Sequence, residues 1–272
     1  MPSLLSTNYK LEKLSDGRID FAVKGLAMAP HSLGNNRNVC SQATDACREA
    51  CVLWFTGRTV MPTVRNAMIA RKNRFFENRE QFYSDLRKEI DSFCKTCKRK
   101  SIRPAIRLNV ASDIDHSRFI LDYCENSDFG FWPTFYDYTK VFNRALRSVD
   151  RVNSWPINYH LTYSFSERST QQQIESILFE GGNVAIVFDT EYNPRSGKIG
   201  EFPEYCYIGN KLVHIVDGDK QDIRCPELDG HCNIIGLRFK GSKAKKQAAI
   251  ESGFCQQLGR LSDPIAKIRF CR

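Results

Sequence analysis

Seven short apolar runs recur along the chain: Ile19–Val23, Ala105–Asn109, Phe131–Tyr136, Tyr159–Tyr163, Asn183–Phe188, Leu212–Val216 and Asn233–Arg238. They are about as long as strands usually are, and their β-branched and aromatic residues suit a pleated, half-buried surface. Between them the apolar spacing lengthens to that of helices. Phe82 follows Phe75 after seven residues, and Leu86, Ile90 and Phe93 then follow at steps of four, four and three, one stripe along a helix. Asn78 with Gln81 reads as a cap for the second half of that stretch, Ser169 with Gln172 as the start of another helix, and Ser242 with Gly253 as the two ends of a third.

Strand and helix in alternation are the signature of parallel βαβ units, whose crossovers strand twist makes right-handed. No Gly-x-Gly-x-x-Gly opens a helix, and seven strands exceed most flavodoxin-like sheets. The expected fold is therefore α/β, a full or partial (β/α) barrel of about six to seven parallel strands, with an open doubly wound sheet as the alternative. No low-complexity linker interrupts the 272 residues, so one domain is expected. Residues 1–57 would form an N-terminal segment and residues 58–272 the βα repeats.

This architecture says where chemistry belongs, because βα folds carry their sites at the C-terminal ends of the strands. The residues just past each strand include Asn109, Ser112 and Asp113, then Asp137 and Lys140, then Glu167, then Asp217, then Arg238. Asp113, Asp137, Glu167 and Asp217 are the candidate catalytic carboxylates. Asn109, Ser112, Lys140 and Arg238 are candidate contacts to a cofactor or to an anionic group. Acidic residues also serve turns and caps, so the weight lies in their convergence on one edge.

A hydrophobic share of 42% with 26% charged residues excludes a disordered chain. The longest apolar run, Val184–Phe188, falls far short of the ~20 residues of a membrane span. The first residues lack a signal peptide's order, and a cytoplasmic location is expected, in the host cell if the protein is phage-encoded. Eleven cysteines then become informative, since in a reducing compartment they serve as thiols, ligands or nucleophiles. Cys40, Cys47 and Cys51, spaced C-x6-C-x3-C, lie in the long connection after the first strand. Three thiolates on one loop can hold an iron–sulfur cluster, or zinc with its fourth position open. Cys94 and Cys97, combined with Cys225 and Cys232, are a further zinc candidate, and the other cysteines read as packing.

The net charge of +9 is unevenly spread. Residues 58–107 carry fourteen Lys or Arg against five acids, and residues 236–272 nine against two, around an acidic middle. With Phe75, Phe76, Phe82 and Tyr83 interleaved, residues 58–107 are the candidate surface for nucleic acid or another polyanion. The other reading is a solvated helix face.

Several motifs resemble an uncharacterised family encoded by bacteriophages and mobile elements, with a three-cysteine N-terminal motif. They are Gly25-Leu-Ala-Met-Ala-Pro-His-Ser-Leu33 with the three cysteines, Arg71-x2-Arg74-Phe-Phe-Glu-Asn-Arg-Glu-x-Phe82, Arg107-Leu-Asn-Val-Ala-Ser-Asp113, Phe135-Tyr-Asp-Tyr-Thr-Lys140, Asn158-Tyr-His-Leu-Thr-Tyr-Ser164, Gly181-Gly-Asn-Val-Ala185, Val216-Asp-Gly-Asp219 and Gly236-Leu-Arg-Phe-Lys-Gly241. More weakly, three cysteines after a first strand resemble radical S-adenosylmethionine enzymes. That resemblance implies a partial barrel with a [4Fe–4S] cluster whose open iron holds S-adenosylmethionine. This chain departs from their C-x3-C-x2-C spacing and lacks their Gly-Gly-Glu element after the second strand, where Asn109-Val-Ala-Ser112 stands. Together these readings expect a metal- or cluster-binding enzyme acting on a phosphate-bearing or nucleic-acid substrate, or else a non-catalytic nucleic-acid-binding protein with structural zinc.

Overall fold

The computed structural model describes residues 2–7, 21–55, 57–127, 132–150, 155–193, 198–258 and 265–267. Its strands are β1 (Leu5–Ser6), β2 (Phe21–Leu26), β3 (Arg103–Arg107), β4 (Thr134–Thr139), β5 (Tyr159–Ser164), β6 (Val184–Phe188), β7 (Tyr192–Asn193), β8 (Lys198–Ile199), β9 (Tyr205–Ile208), β10 (Lys211–Asp217), β11 (Ile234–Arg238), β12 (Cys255–Gln256) and β13 (Ile265–Lys267). Its helices are α1 (Asp45–Glu49), α2 (Val52–Phe55), α3 (Pro62–Glu77), α4 (Arg79–Arg99), α5 (Ser117–Glu125), α6 (Phe142–Asp150), α7 (Gln171–Phe179), α8 (Pro226–Asp229) and α9 (Lys243–Glu251).

All seven runs foreseen from the sequence are strands, and all seven are mutually parallel, in the spatial order β2-β3-β4-β5-β6-β11-β10. The positions Ile19, Asp20 and Phe131 of two runs lie outside the described residues. The full barrel is not formed. Its closure would pair β10 with β2, but β10 already pairs with β9 and β2 with β1, both antiparallel. The sheet is open, with β1 and β13 at its two ends.

The winding explains which face each connection takes. From β2 to β6 the chain adds strands in one direction, so right-handed crossovers place α3 to α7 on a single face. There Phe82, Leu86, Ile90 and Phe93 of α4 meet Ile106 and Phe135, while Ile174 and Ile177 of α7 meet Ile186 and Ile215. Full burial of such a side chain contributes roughly 1.5–3 kcal/mol. The foreseen stripe is broken at Asn78, whose side chain caps α4 by accepting from Gln81 N at 2.9 Å.

From β10 to β11 to β12 the direction reverses, and so does the face. Residues 218–233 cross the opposite side of the sheet, where Ile223 and Cys225 pack on Phe21, Val23, Ala105 and Tyr136. Beyond them α9 and α1 cover the same side around Val187, Phe254 and Cys255. The sheet is thus not closed, and it is compatible with the open alternative. Ser242 caps α9 as foreseen, and Gly253 follows its end at φ +82°. The cap of α7 falls one residue later than expected, on Thr170 with Gln173.

Candidate functional site

After β2 the chain turns across the C-terminal edge of the sheet. Asp113 N donates to Val39 O at 2.8 Å, Thr44 Oγ1 donates to Glu167 Oε2 at 3.0 Å, and Lys245 Nζ donates to Glu49 O at 3.3 Å. The cysteine loop is thus tied to the connections after β3 and β5 and to α9. Thr44 also caps α1, accepting from Cys47 N at 3.1 Å. Cys47 packs beside Phe239, Phe254 and Cys255, and Cys51 follows one residue after the helix's end.

Cys40 is the sulfur most enclosed by polar contacts: its Sγ accepts from His31 N at 3.3 Å and donates to Ala111 O at 3.5 Å. Burial pushes its thiol up to about 12, and negative charge on Asp113, Cys47 and Cys51 adds to the rise. Cations sit nearby. Lys72 is fully buried and donates to His31 O at 2.7 Å and Leu33 O at 3.0 Å, close enough to Cys40 for the two charges to interact. His31, held at φ +37°, has its imidazole kept neutral by burial and by the nearby charges of Arg48 and Lys72. A non-glycine residue at positive φ is strained backbone that its surroundings must hold in place.

Zinc at ~2.3 Å from each sulfur would require ligating sulfurs within ~4 Å of one another. Among the described residues, no three His, Cys, Asp or Glu side chains are grouped so as to hold a metal ion. A cluster takes each thiolate on a different iron and spaces its ligands more widely. Three partly exposed cysteines on one loop, with buried Lys72 beside Cys40, supply the soft sulfur donors such a cluster takes once they are deprotonated. Six other described cysteines (Cys94, Cys97, Cys124, Cys206, Cys225, Cys255) are buried. The second zinc grouping does not form: Cys94 and Cys97 lie in the core under α4, Cys225 packs on the opposite face of the sheet, and Cys232 is exposed.

The strand-end residues divide into separate groups. Asp113 accepts from Thr139 Oγ1 at 2.8 Å and Lys140 N at 2.9 Å and pairs with Arg144 at 2.6 Å. Asp137 is fully buried on the helix-bearing face, accepting from Asn109 N at 2.6 Å, Asn109 Nδ2 at 3.3 Å and Tyr159 OH at 3.0 Å. Asn109 in turn accepts from Ser112 Oγ and Ile114 N, so these residues brace the loop after β3. Asp217 is engaged by both terminal nitrogens of Arg238, at 2.7 and 2.9 Å. Asp219 pairs with Lys240 at 2.6 Å. Lys140 instead reaches towards β5, donating to Ser164 Oγ at 3.0 Å and Phe165 O at 3.1 Å. The edge thus sets Glu167 against Thr44 beside the cysteine loop and Lys140 against Phe254, on which Cys47 packs, while Asp217 and Arg238 are taken up with each other.

Part of the basic charge of residues 58–107 is internal. Arg71 and Lys72 are buried, and Arg107 pairs with buried Asp222 at 3.0 Å. Arg74, Arg87 and Arg103 are paired with Asp85, Asp122 and Glu227. Facing outward, Lys88, Lys95, Lys98 and Arg99 line one groove along α4. His31, Thr44, Lys72 and Arg144 belong to the site although nothing in the sequence singled them out. Lys72 looked like one more surface lysine, and only its neighbours distinguish it.

Across residues 3–258 the chain matches the family model described as Gene product 88. No curated protein and no solved structure matches it. Among the described residues, no helix is long and apolar enough to cross a membrane.

Proposed function

The chain belongs to the Gene product 88 family, a family of phage-type gene products, and from that premise we propose that it is an iron–sulfur enzyme. Cys40, Cys47 and Cys51 hold the cluster at the C-terminal edge of the parallel sheet, and the substrate bears a phosphate or belongs to a nucleic acid. The observation that carries this reading is three partly exposed cysteines on one loop, which Cys40 and Thr44 tie to the C-terminal edge of the sheet, with buried Lys72 holding the turn at His31. A cluster on three thiolates supplies an iron with an open position and single-electron chemistry.

The protein's own groups have separable tasks. Lys72 fixes the turn at His31 and Leu33 and offsets thiolate charge. Thr44 orients α1, and through Glu167 it ties the loop to the connection after β5. Asp113 and Arg144 set the height of that edge by bracing Thr139 and the backbone of Lys140. Zinc on the same thiols, serving structure, is the alternative.

Protein purified without oxygen is expected to be coloured, with iron and sulfide in comparable amounts. Cys40→Ser, Cys47→Ser and Cys51→Ser should each abolish most of the iron, while Cys206→Ser, in a buried position remote from the loop, should keep it. Colourless protein without iron, or a triple Cys→Ser variant that retains iron, overturns the proposal.

A further inference from the structure

We propose that Lys140 and Ser164 form an oxyanion seat, for a phosphate or carboxylate group of a ligand, in the crevice where the winding of the sheet reverses. The inference rests on reading the C-terminal edge as the working face, and it does not depend on what the cysteines bind.

In open α/β sheets, ligands enter at the carboxyl ends of the strands where crossovers change face. Here the change falls beside β6. β5 pairs with β6 only at Val184 and Ala185 and then parts from it, and β12 takes over at Val187 and Phe188. Lys140 and Ser164 stand at the ends of β4 and β5 on that parting side. Continuing the alternation of Tyr136 and Tyr138, Lys140 falls on the face opposite α3 to α7.

The hydrogen bonds leave both groups able to donate. The ammonium has three protons and directs two, to Ser164 Oγ and Phe165 O. Ser164 accepts one and so keeps its own O–H for a ligand. Charge points the same way. Arg107, Arg144, Arg238 and Lys240 are each neutralised by an aspartate. Among the described residues Lys140 has no carboxylate partner, because Asp113, beside its backbone, is taken up by Arg144, Thr139 and the Lys140 amide. The ring of Phe254 lies 5.3 Å from the ammonium, and Cys47 packs near the same ring. The ring face and the two hydrogen bonds steady the ammonium, but a part-buried cation with no carboxylate beside it still lacks a counter-charge. An oxyanion accepting from Lys140 Nζ and Ser164 Oγ supplies that counter-charge with two charge-assisted hydrogen bonds.

Calorimetric titration with inorganic phosphate and, separately, with acetate tests the seat. One of the two anions should bind the wild-type chain, phosphate identifying a phosphoryl ligand and acetate a carboxylate. Lys140→Met should weaken that binding by about tenfold or more, and Ser164→Ala by a smaller factor. Lys88→Met, on the surface of α4, should leave it unchanged. Iron content should be the same in Lys140→Met as in wild type. Equal binding by wild type and both seat variants, or no binding of either anion, overturns the seat. Iron analysis of the same samples reads the cluster proposal on its own.

Discussion

At Asp137 burial and hydrogen bonding pull in opposite directions. Burial raises its pKa from 3.8 to about 7, while the amide of Asn109, the charge of Arg107 and the hydroxyl of Tyr159 work against that rise. The folded chain therefore holds this proton more tightly than the unfolded chain. The resulting stability is complete below about pH 4 and is lost as pH rises through about 7. Asp137→Asn, which does not titrate, removes this dependence and leaves donors facing an amide, at a cost of about 1–3 kcal/mol. In urea unfolding, the stability of wild type relative to Asp137→Asn should fall as pH rises from 4 to 8. A constant or widening difference would show that the carboxylate stays ionised. The sequence put Asp137 just past its strand, but β4 runs on to Thr139, so Asp137 lies within the ladder and the strand's alternation turns it to the helix side, among Asn109 and Tyr159.

The short helix α1 illustrates how an element positions chemistry. It has five residues, too few to be stable alone, and it is held by Thr44 at its start and by packing of Ala46, Cys47 and Ala50 against Phe239 and Phe254. Thr44→Ala removes the cap and the tie to Glu167 together. It should cost about 1 kcal/mol, read as a drop of about 2–4 °C in the melting midpoint. It should also speed the loss of iron to a chelator, and Thr44→Ser should restore both. If Thr44→Ala melts and holds iron as wild type does, α1 is not what aims Cys47. The elements themselves were plain in the sequence wherever local signals sufficed, as at Asn78 and Ser242, whose side chains cap the helices they precede. The two-residue strands β1 and β12 carry no local pattern long enough to read, and they exist because a neighbouring strand offers unpaired backbone.

On the scale of the whole molecule, the segment between β10 and β11 welds the two halves of the sheet. In a flat sheet five inter-strand steps of ~4.8 Å separate β3 from β10, yet Asp222 accepts from Arg107 Nη1 at 3.0 Å and from Tyr136 OH at 2.9 Å. Arg224 and Asp229 form a second buried pair at 2.6 Å on the same segment. Asp222→Ala strands the Arg107 guanidinium and should cost about 3–5 kcal/mol in denaturant unfolding. Adding Arg107→Met to it should recover much of that loss, since the double variant leaves no unpaired charge. A double variant as unstable as the single one would mean that Asp222 acts through something other than Arg107.

Periodicity and composition alone determined the seven parallel strands, the amphipathic stripe of α4 and the three-cysteine loop at the sheet's C-terminal edge, because each is encoded in residues adjacent along the chain. The open sheet, the reversal of strand order at β10 and β11, and the segment filling one face were decided only in three dimensions, where competition for strand edges settles closure. The same holds for the site. The sequence could name Lys140 and Arg238 alike as cations at strand ends. Their difference lies in distant partners, for Asp217 neutralises Arg238 while Ser164 leaves Lys140 its charge.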